Sequence, residues 1–356
     1  MTSSKKKPLA YLFTDFHAHL FKDFSHPDAK YHTDRFKAQL DTLETILCQA
    51  REDDLPVIFG GDLFHKRIYV DSRVFNPVFE MFEAYSDVTV YMVRGNHDSV
   101  TNSLRTVSSL DTFSSLPNVT VISTPQIVVH PTFMLFGLPY GEETEEMKEW
   151  LTKTADTHKD NKLPKVLVAH VGVEGATTGK YSHTLEGAFR ASDLLPEAFD
   201  YIYLGHYHKR QELLPNMIYG GNTIQTSFSD EGQTKGYHLL YQDGDNVQTE
   251  YIEIANKMFI TITGDEIPSD DILRNNYIRF MGNEEQAKIV QTIRDEENLT
   301  NMRITVQKEY NDGSRLGITA ETSEEEIVSA YVESKELGDA VEQKALACLR
   351  EAKALS

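Results

Sequence analysis

Five short polar segments each follow directly on an apolar run, and this repetition constrains the fold more than any other feature of the chain. The apolar runs are short and end at glycine or polar residues, which is typical of buried strands. The carboxyl ends of parallel strands meet at one edge of a sheet, where polar residues can form a site. The five segments are TDFHAH at 14–19, GGDLFH at 60–65, GNHD at 95–98, AHVGVEG at 169–175 and GHYHKRQ at 205–211.

The first hundred residues alternate between predicted strands and predicted helices. Apolar runs at 9–13, 56–61 and 88–93 predict strands, and apolar residues at helical spacing over 35–53 and 74–85 predict the helices between them. This alternation with short connections predicts an α/β fold with a largely parallel sheet.

Further short strands follow, and together with the first half they predict two sheets covered by helices. A helix is predicted from residue 142, where EETEEMKEWLTKTA begins, and a strand, an irregular loop and a second strand over 216–242. The remaining predicted strands lie at 119–123, 126–130, 133–140, 165–170 and 200–206.

The pattern changes after residue 256, and we predict three units. Residues 1–255 form the main domain. Residues 256–315 form a small unit of strands, including RITVQKEY, around a helix at roughly 283–297, and residues 316–356 form terminal helices. Ser323 and Glu326 have the spacing of a capping box at the start of the first terminal helix.

Composition excludes several classes of protein. The two cysteines, Cys48 and Cys348, are too few for a disulfide framework or a cysteine-based zinc site. No apolar run approaches the roughly 18–20 residues that a membrane-spanning helix needs, and the amino terminus lacks a signal-peptide pattern, so we expect a cytoplasmic protein. The formal net charge of −20 argues against binding nucleic acid through a generally positive surface.

The polar segments together contain enough oxygen and nitrogen ligands for two metal ions. If the chain stays extended after the first strand, Asp15 and His17 point the same way, and glycines before Asp62 allow close backbone approach. The carboxylate of Asp62 has two oxygens and can bridge two ions. Two adjacent divalent ions are typical of enzymes that hydrolyse phosphate esters. The candidate ligands are Asp15, His17, Asp62, Asn96, His170, His206 and His208.

The order D-x-H, GD-x-x-H, GNHD, H, GH-x-H is similar to that of the calcineurin-like metallophosphoesterase superfamily. Within it, GGDLFH, GHYHKRQ and the later YGGNTIQTSFSDEGQTKGYHLL resemble the SbcD-type nucleases of DNA double-strand-break repair. The resemblance implies a four-layer α/β/β/α sandwich for residues 1–255, an α+β capping domain that recognises DNA, and C-terminal helices that bind the coiled coil of an ATPase. It also implies a bacterial or bacteriophage protein.

The resemblance further implies a role for each polar residue. Asp15, His17, Asp62 and His208 would hold one ion, and Asp62, Asn96, His170 and His206 the other. The expected ion is Mn²⁺, with Mg²⁺, Fe²⁺ or Zn²⁺ as alternatives. A ligand set without cysteine suits these ions. His97 would stabilise the phosphate or protonate the leaving oxygen, with His65 supporting it and Asp98 orienting it.

Three positions depart from the pattern of the branch, and none of them removes a ligand. His19 stands where glycine is usual, and Arg210 replaces a proline. Arg94 stands where small residues are frequent. Its side chain could reach a substrate phosphate, and the alternative interpretation is a surface arginine.

These observations leave two alternative functions. The first is a two-metal DNA exonuclease and endonuclease in DNA repair, recombination and replication, partnered by an SbcC-like coiled-coil ABC-type ATPase. A homodimer inside a heterotetramer is expected, with helices at roughly 74–85 and 103–116 as its candidate surface. The second is a small-molecule or nucleotide phosphodiesterase or phosphatase, which the negative charge favours. A non-enzymatic scaffold is disfavoured because no ligand position is missing.

Overall fold

The computed structural model describes residues 6–177, 189–264, 269–306 and 322–355. The first sheet contains six strands, of which four consecutive strands, reaching one edge of the sheet, are parallel to one another. The two outer strands at one edge run antiparallel to their neighbours. In spatial order the strands are β14 (Asn246–Glu253), β13 (Gly236–Asp243), β1 (Lys7–Phe13), β4 (Val57–Phe59), β5 (Val90–Val93) and β6 (Val119–Ile122).

The second sheet also contains six strands, with a parallel centre and one antiparallel strand at each edge. Its edge strand Gln211–Leu214 and the first sheet's edge strand β14 are not among the strands that the apolar pattern predicts, because at least half of the residues in each segment are polar. In spatial order the strands are β11 (Gln211–Leu214), β12 (Met217–Tyr219), β10 (Tyr201–Gly205), β9 (Lys165–His170), β8 (Met134–Leu138) and β7 (Gln126–Val129).

Helices cover the outer face of each sheet. Helix α1 (Asp34–Glu52) begins at Thr33, whose side chain accepts a hydrogen bond from the Phe36 N–H at 3.1 Å, and α2 (Ser72–Ala84) begins after Asp71. Both pack on the first sheet, and α3 (Thr144–Thr157) packs on the second. These helices follow the predicted bounds closely, because their apolar stripes face the sheets.

Three hydrophobic clusters fill the spaces between the layers. One lies between the two sheets and includes Leu12, Ile58 and Tyr203. The second lies between the first sheet and α1 and α2, and the third between the second sheet and α3. The layers are therefore helix, sheet, sheet and helix, which confirms the predicted α/β/β/α sandwich.

One predicted helix is wrong. Residues 103–116 contain only a short 3₁₀ helix, Asp111–Ser115. The preceding residues are held by other groups instead: Glu143 accepts hydrogen bonds from Ser103 and from the Leu104 N–H, and the Ser109 N–H donates to the carbonyl of Asp98. Serine and threonine compete with helical hydrogen bonds in this way. This segment therefore provides no helix for the dimer surface that the sequence predicts.

A small parallel sheet follows the sandwich. It consists of β15 (Phe259–Thr263), β16 (Tyr277–Gly282) and β17 (Met302–Val306), with α4 (Asp270–Asn275) and α5 (Glu284–Glu296) as its connections. The predicted continuation of β17 over 307–310 and the predicted boundary at 315/316 lie outside the described residues. The division into three domains stays a prediction.

The remaining strands and α-helices of the described chain form two pairs. Strands β2 (Pro27–Asp28) and β3 (His32–Thr33) form a short ladder before α1. Helices α6 (Glu324–Ser334) and α7 (Asp339–Leu355) pack on each other, and Ser323 and Glu326 form the predicted capping box. Among the described helices, none combines the length and apolar character that crossing a bilayer requires.

Candidate metal centre

The seven candidate ligands meet where the carboxyl ends of the parallel strands of both sheets converge. Asp15 and His17 follow β1, Asp62 follows β4, and Asn96 follows β5. From the second sheet, His170 is the last residue of β9, and His206 and His208 follow β10. Each sheet alone therefore supplies only part of the ligand set.

The backbone turns sharply at four of these positions. The φ angles are +51° at Asp15, +50° at His17, +64° at Asp62 and +100° at His206. The prediction of an extended chain after the first strand is therefore wrong, and side-chain alternation does not bring Asp15 and His17 together. The Asp15 N–H donates to Gly61 O (2.9 Å) and the His17 N–H donates to Asp62 O (3.0 Å). These hydrogen bonds hold the turn after β1 against the turn after β4. Left-handed backbone at non-glycine residues costs roughly 1–3 kcal/mol each and concentrates at functional sites.

The first group of candidate ligands is Asp15, His17 and His208. Their ligand atoms all lie within 4.8 Å of one another. The Nε2 atoms of His17 and His208 are 2.8 Å apart, and each lies 4.0 Å from Oδ1 of Asp15. Two imidazole nitrogens and a carboxylate oxygen that face one point are a donor set suited to a divalent cation.

The second group is Asp15, Asp62 and His170, again within 4.8 Å. His170 Nδ1 donates to the carbonyl of Gly60 at 2.8 Å, which directs Nε2 inward, where it lies 3.4 Å from Oδ2 of Asp62. Asp62 Oδ2 also lies 3.7 Å from His17 Nε2, so this carboxylate stands between the two groups. This position suits a bridging ligand.

Asn96 and His206 complete the second group. The Asn96 Oδ1 lies 3.0 Å from His170 Nε2 and 2.9 Å from His206 Nδ1. The His206 N–H donates to both Asp15 oxygens at 3.1 Å, which links the second sheet to the first. Asp15, His17, Asp62 and His170 are buried, whereas Asn96, His206 and His208 are partly exposed and form the mouth of the centre.

Two glycines allow the loops to approach this closely. Gly61 has a φ of +106°, and a Cβ there would collide with Nδ1 of His170. A Cβ at Gly95 would collide with the carboxylate of Asp62. Both positions therefore require glycine.

The buried acids and imidazoles shift one another's pKa values. Burial would raise the pKa of Asp62, but the imidazoles of His170 and His17 lower it below its usual range. Burial would lower the pKa of His170, but the carboxylates of Asp62 and Asp15 raise it to about 9. Burial raises the pKa of Asp15 and lowers that of His17. Buried carboxylates require cationic partners, so this arrangement fits divalent ions.

His97 stands beside the ligand groups at the mouth. Its backbone N–H donates to Oδ1 of Asp62 at 2.7 Å, and its Nδ1 lies 2.6 Å from the carbonyl oxygen of His65. The His65 ring packs against the rings of His97, His17 and His19, with centroids 5.8, 5.5 and 5.0 Å apart. His65 thus supports His97 through its backbone as well as its ring.

The sequence predicts that Asp98 orients His97, but the Asp98 carboxylate contacts other groups. Its buried carboxylate accepts from the N–H groups of Asp62 (2.8 Å), Leu63 (2.9 Å) and Gly95 (2.9 Å), and the hydrogen bonds of the described chain give it none to the His97 ring. Asp98 ties the Asp62 turn to the Asn96 turn, because a carboxylate accepts several backbone donors at once. Burial and the neighbouring Asp62 charge raise the pKa of Asp98 to about 6.

Arg94 is neither a surface residue nor a phosphate contact. Its side chain is 0% exposed. The guanidinium donates to Ser99 Oγ and to the carbonyls of Leu104 (3.2 Å), Tyr140 (2.9 Å) and Ser123 (3.3 Å). These partners take four of its five N–H donors and its side chain is buried, so Arg94 anchors the loops around the centre.

Two further residues contact the histidines of the metal centre, and the sequence pattern did not identify them. The buried ammonium of Lys235 donates to the carbonyl of His208 at 3.0 Å and pairs with the buried Asp230 carboxylate at 3.1 Å. The ring of Tyr140 lies 5.8 Å from that of His206. Lys235 belongs to the glycine-rich loop, so the resemblance drew attention to the loop without assigning this contact.

The family described as calcineurin-like phosphoesterase matches residues 10–210. The chain is similar to the SbcD component of the SbcCD nuclease of Staphylococcus epidermidis, with 25% identity over 259 residues that cover 66% of this chain and 64% of that protein. The chain thus matches less than two thirds of that curated relative's length.

Among solved structures, the chain is similar to a dimetal phosphatase from Danio rerio. The TM-score is 0.43 and the identity 12%, over 68% of this chain and 96% of that one.

Proposed function

Because this chain belongs to the calcineurin-like phosphoesterase family, whose members are metal-dependent hydrolases, we propose that it is a two-metal DNA nuclease. The observation that carries the proposal is the pair of ligand groups that meet at Asp15 and Asp62, with His97 at their mouth. The description of the Staphylococcus epidermidis relative as a nuclease supports nucleic acid as the substrate.

The residues present fit two divalent ions. Asp15, His17, Asp62 and His208 would hold one, and Asp62, Asn96, His170 and His206 the other. Bound divalent ions stabilise negative charge on a phosphate and lower the pKa of water. Mn²⁺ is the ion we propose, because histidine and carboxylate ligands without cysteine suit it.

The chain's own residues would orient the phosphate and supply the proton. The His65 carbonyl accepts from Nδ1 of His97, which leaves Nε2 as the ring nitrogen that can act on the substrate. Protonated at Nε2, His97 can donate to the leaving oxygen of the phosphodiester. General acid catalysis of this kind contributes typically 10²–10⁴-fold.

The small sheet packs beside the centre, which suits the proposed DNA-recognition role of residues 256–315. The ring of Phe24 lies 6.0 Å from Phe259 and 5.8 Å from Tyr277. Arg35 joins the same contact, with its guanidinium 5.1 Å from each of those two rings and donating to the carbonyl of Thr226 at 2.7 Å. The loop that carries Asp230 and Lys235 thus lies between the centre and the small sheet.

We further propose the partners that the SbcD-type resemblance implies. Helices α6 and α7 expose Tyr331 and Val341, Leu337 between them is also exposed, and the two helices would bind the coiled coil of an SbcC-like ATPase. The complex would be a heterotetramer built on a nuclease homodimer, acting in the cytoplasm in DNA repair.

Digestion of end-labelled duplex and single-stranded DNA by the full chain with Mn²⁺ tests this function. We expect cutting that requires Mn²⁺, with and without an SbcC-like ATPase, and faster turnover of DNA than of bis(p-nitrophenyl) phosphate at equal concentration of phosphodiester. Brisk hydrolysis of the small diester without any DNA cutting would contradict the proposal. That result would favour the alternative, a small-molecule or nucleotide phosphodiesterase, which the net charge of −20 supports.

A further inference from the structure

The loop directly after His65 presents an aromatic side chain to solvent at the rim of the metal centre. Tyr69 is 83% exposed, the highest value among the large exposed hydrophobic residues of the described chain, and its neighbour Ile68 is 59% exposed. Contiguous exposed apolar surface commonly marks a binding surface, and Ile68 and Tyr69 are adjacent in the chain. Nothing in the proposed chemistry of the metal centre uses it.

The backbone of this loop is strained in a specific way. Ile68 has a φ of +67°, although a β-branched residue strongly disfavours the left-handed region. The Tyr69 N–H donates to the carbonyl of Arg67 at 2.6 Å and closes a three-residue turn around Ile68. A positive φ at the centre of such a turn belongs to its rare, strained form. Strain of this kind persists only where surrounding contacts hold it, and it concentrates at functional sites.

Arg67 provides those contacts. Its Nε donates to the carbonyl of Ser99 at 3.3 Å, and its terminal nitrogen donates to Oδ1 of Asn102 at 2.6 Å. Ser99 follows directly on the GNHD segment that carries His97. The other end of the loop begins at His65, whose carbonyl holds the His97 ring. The backbone of the loop at Tyr69 is therefore fixed to the residues that orient His97.

The charges around Tyr69 favour a strand of nucleic acid as its partner. Lys66 is exposed, and among the described residues it forms no ion pair. The nearest acid in sequence, Asp71, is engaged by Arg73 at 2.6 Å. An aromatic ring with a free cation nearby is the combination with which proteins bind single strands, by stacking on a base and contacting phosphate.

The position of the loop fits a strand whose phosphate lies at the centre. Tyr69 is four residues beyond His65, so the chain between them spans at most about 14 Å. Successive nucleotides of a stacked strand rise about 3.4 Å each. Bases a few nucleotides from the phosphate being cut are thus within reach of Tyr69.

We propose that Tyr69 stacks on an unpaired base of the DNA strand entering the centre, with Lys66 on a neighbouring phosphate. The inference rests on the proposed nuclease function and names a specificity determinant for it. It makes the enzyme favour strands with unpaired bases next to the cut.

Steady-state kinetics on a labelled single-stranded oligonucleotide with Mn²⁺ test the proposal in the full chain. For Tyr69→Ala we expect KM to rise about ten-fold or more, since stacking on one base is worth that much on alanine substitution, with a smaller change in kcat. The ratio of oligonucleotide to bis(p-nitrophenyl) phosphate hydrolysis should fall accordingly. Tyr69→Trp, which keeps a stacking surface, should restore KM.

Two further variants sharpen the test. Lys66→Ala should reduce the slope of log KM against log salt by about 0.7, the value for one phosphate contact on a single strand. Val129→Ala is the matched control, because Val129 is 65% exposed but pairs with Met134 at the start of β8, at the end of the strands opposite the centre. Its kinetics should equal those of the parent chain.

Failure of the proposed nuclease function and failure of the Tyr69 inference give different results. A parent chain that cuts no DNA would overturn the proposed function and this inference together. A parent chain that cuts DNA, with KM unchanged in Tyr69→Ala, would overturn this inference alone and would leave the exposed loop as a contact for a protein partner.

Discussion

Nδ1 of His97 lies 2.6 Å from the carbonyl oxygen of His65, a residue 32 positions earlier in the chain. A carbonyl only accepts hydrogen bonds, so Nδ1 must carry the hydrogen. The tautomer of His97 is therefore set by the backbone of the Asp62 turn. Nε2 is left as the ring nitrogen for the proton donation that we propose.

Replacing His97 should separate chemistry from metal binding. For His97→Ala we expect kcat to fall about 10²–10⁴-fold, the range for loss of a general acid, while both ions remain bound because the candidate ligands are untouched. Activity on bis(p-nitrophenyl) phosphate and metal content by atomic emission check this. Full activity in a metal-loaded His97→Ala protein would refute the assigned role.

His65→Ala offers a sharper comparison. The substitution keeps the backbone carbonyl that holds His97, so only the His65 ring is lost, together with its packing on His17 and His97. We expect a smaller loss of kcat than in His97→Ala, with metal content retained. If the two variants lose activity equally, the His65 ring itself takes part in the reaction or holds the centre in place.

Removal of metal should lower stability as well as activity. A cation that binds only the folded chain stabilises it by about 2.7 kcal/mol at one hundred times its Kd. Chelation should therefore abolish activity and lower the midpoint of thermal unfolding, and Mn²⁺ should restore both. His208→Ala removes one ligand of the first group, so its midpoint should respond less to Mn²⁺. A midpoint that ignores both chelator and Mn²⁺ would contradict the two-ion centre.

Arg94→Met should affect folding rather than substrate binding. The substitution leaves the carbonyls of Leu104 and Tyr140 without their buried donor, and unsatisfied buried groups cost about 1–3 kcal/mol each. We expect the free energy of unfolding in urea to fall by about 3 kcal/mol, with KM for the diester unchanged in the folded fraction. A higher KM at unchanged stability would instead support a phosphate contact.

Lys235→Met tests the support behind His208. It leaves the buried Asp230 carboxylate unpaired, and breaking one side of a buried ion pair costs about 3–5 kcal/mol. It also removes the donor to the His208 carbonyl, so Mn²⁺ affinity should fall. The double variant Lys235→Met with Asp230→Asn should recover part of the stability, since an amide oxygen can still accept from Thr226. Recovery of stability without recovery of Mn²⁺ affinity would show that Lys235 positions His208.

The sequence predicted those features that depend on local pattern. Apolar runs marked the parallel strands, and helical spacing marked α1, α2 and α3, because both reflect burial against the sheets. The convergence of the polar segments followed from strand direction alone. The alternating strand β14 was missed, since half of its residues face solvent and its apolar content is low.

The sequence could not predict contacts between distant segments. The sequence alone predicts that Arg94 is exposed or binds substrate. Only the fold brings the carbonyls of Leu104 and Tyr140 next to its side chain. Asp98 follows His97 directly, yet apart from the Gly95 N–H its carboxylate accepts from N–H groups 34 to 36 residues earlier in the chain. Residue types also do not predict the left-handed backbone at Asp15 and His17, because tertiary hydrogen bonds stabilise these turns.

The division of the ligands between two sheets has a consequence for biosynthesis. Asp15, His17, Asp62 and Asn96 are synthesised early, but His170, His206 and His208 belong to strands made much later. A nascent chain lacks part of each ligand group until the second sheet has packed on the first. The complete ligand set therefore arises only on completion of the sandwich, and a fragment that ends before His206 lacks part of both ligand groups.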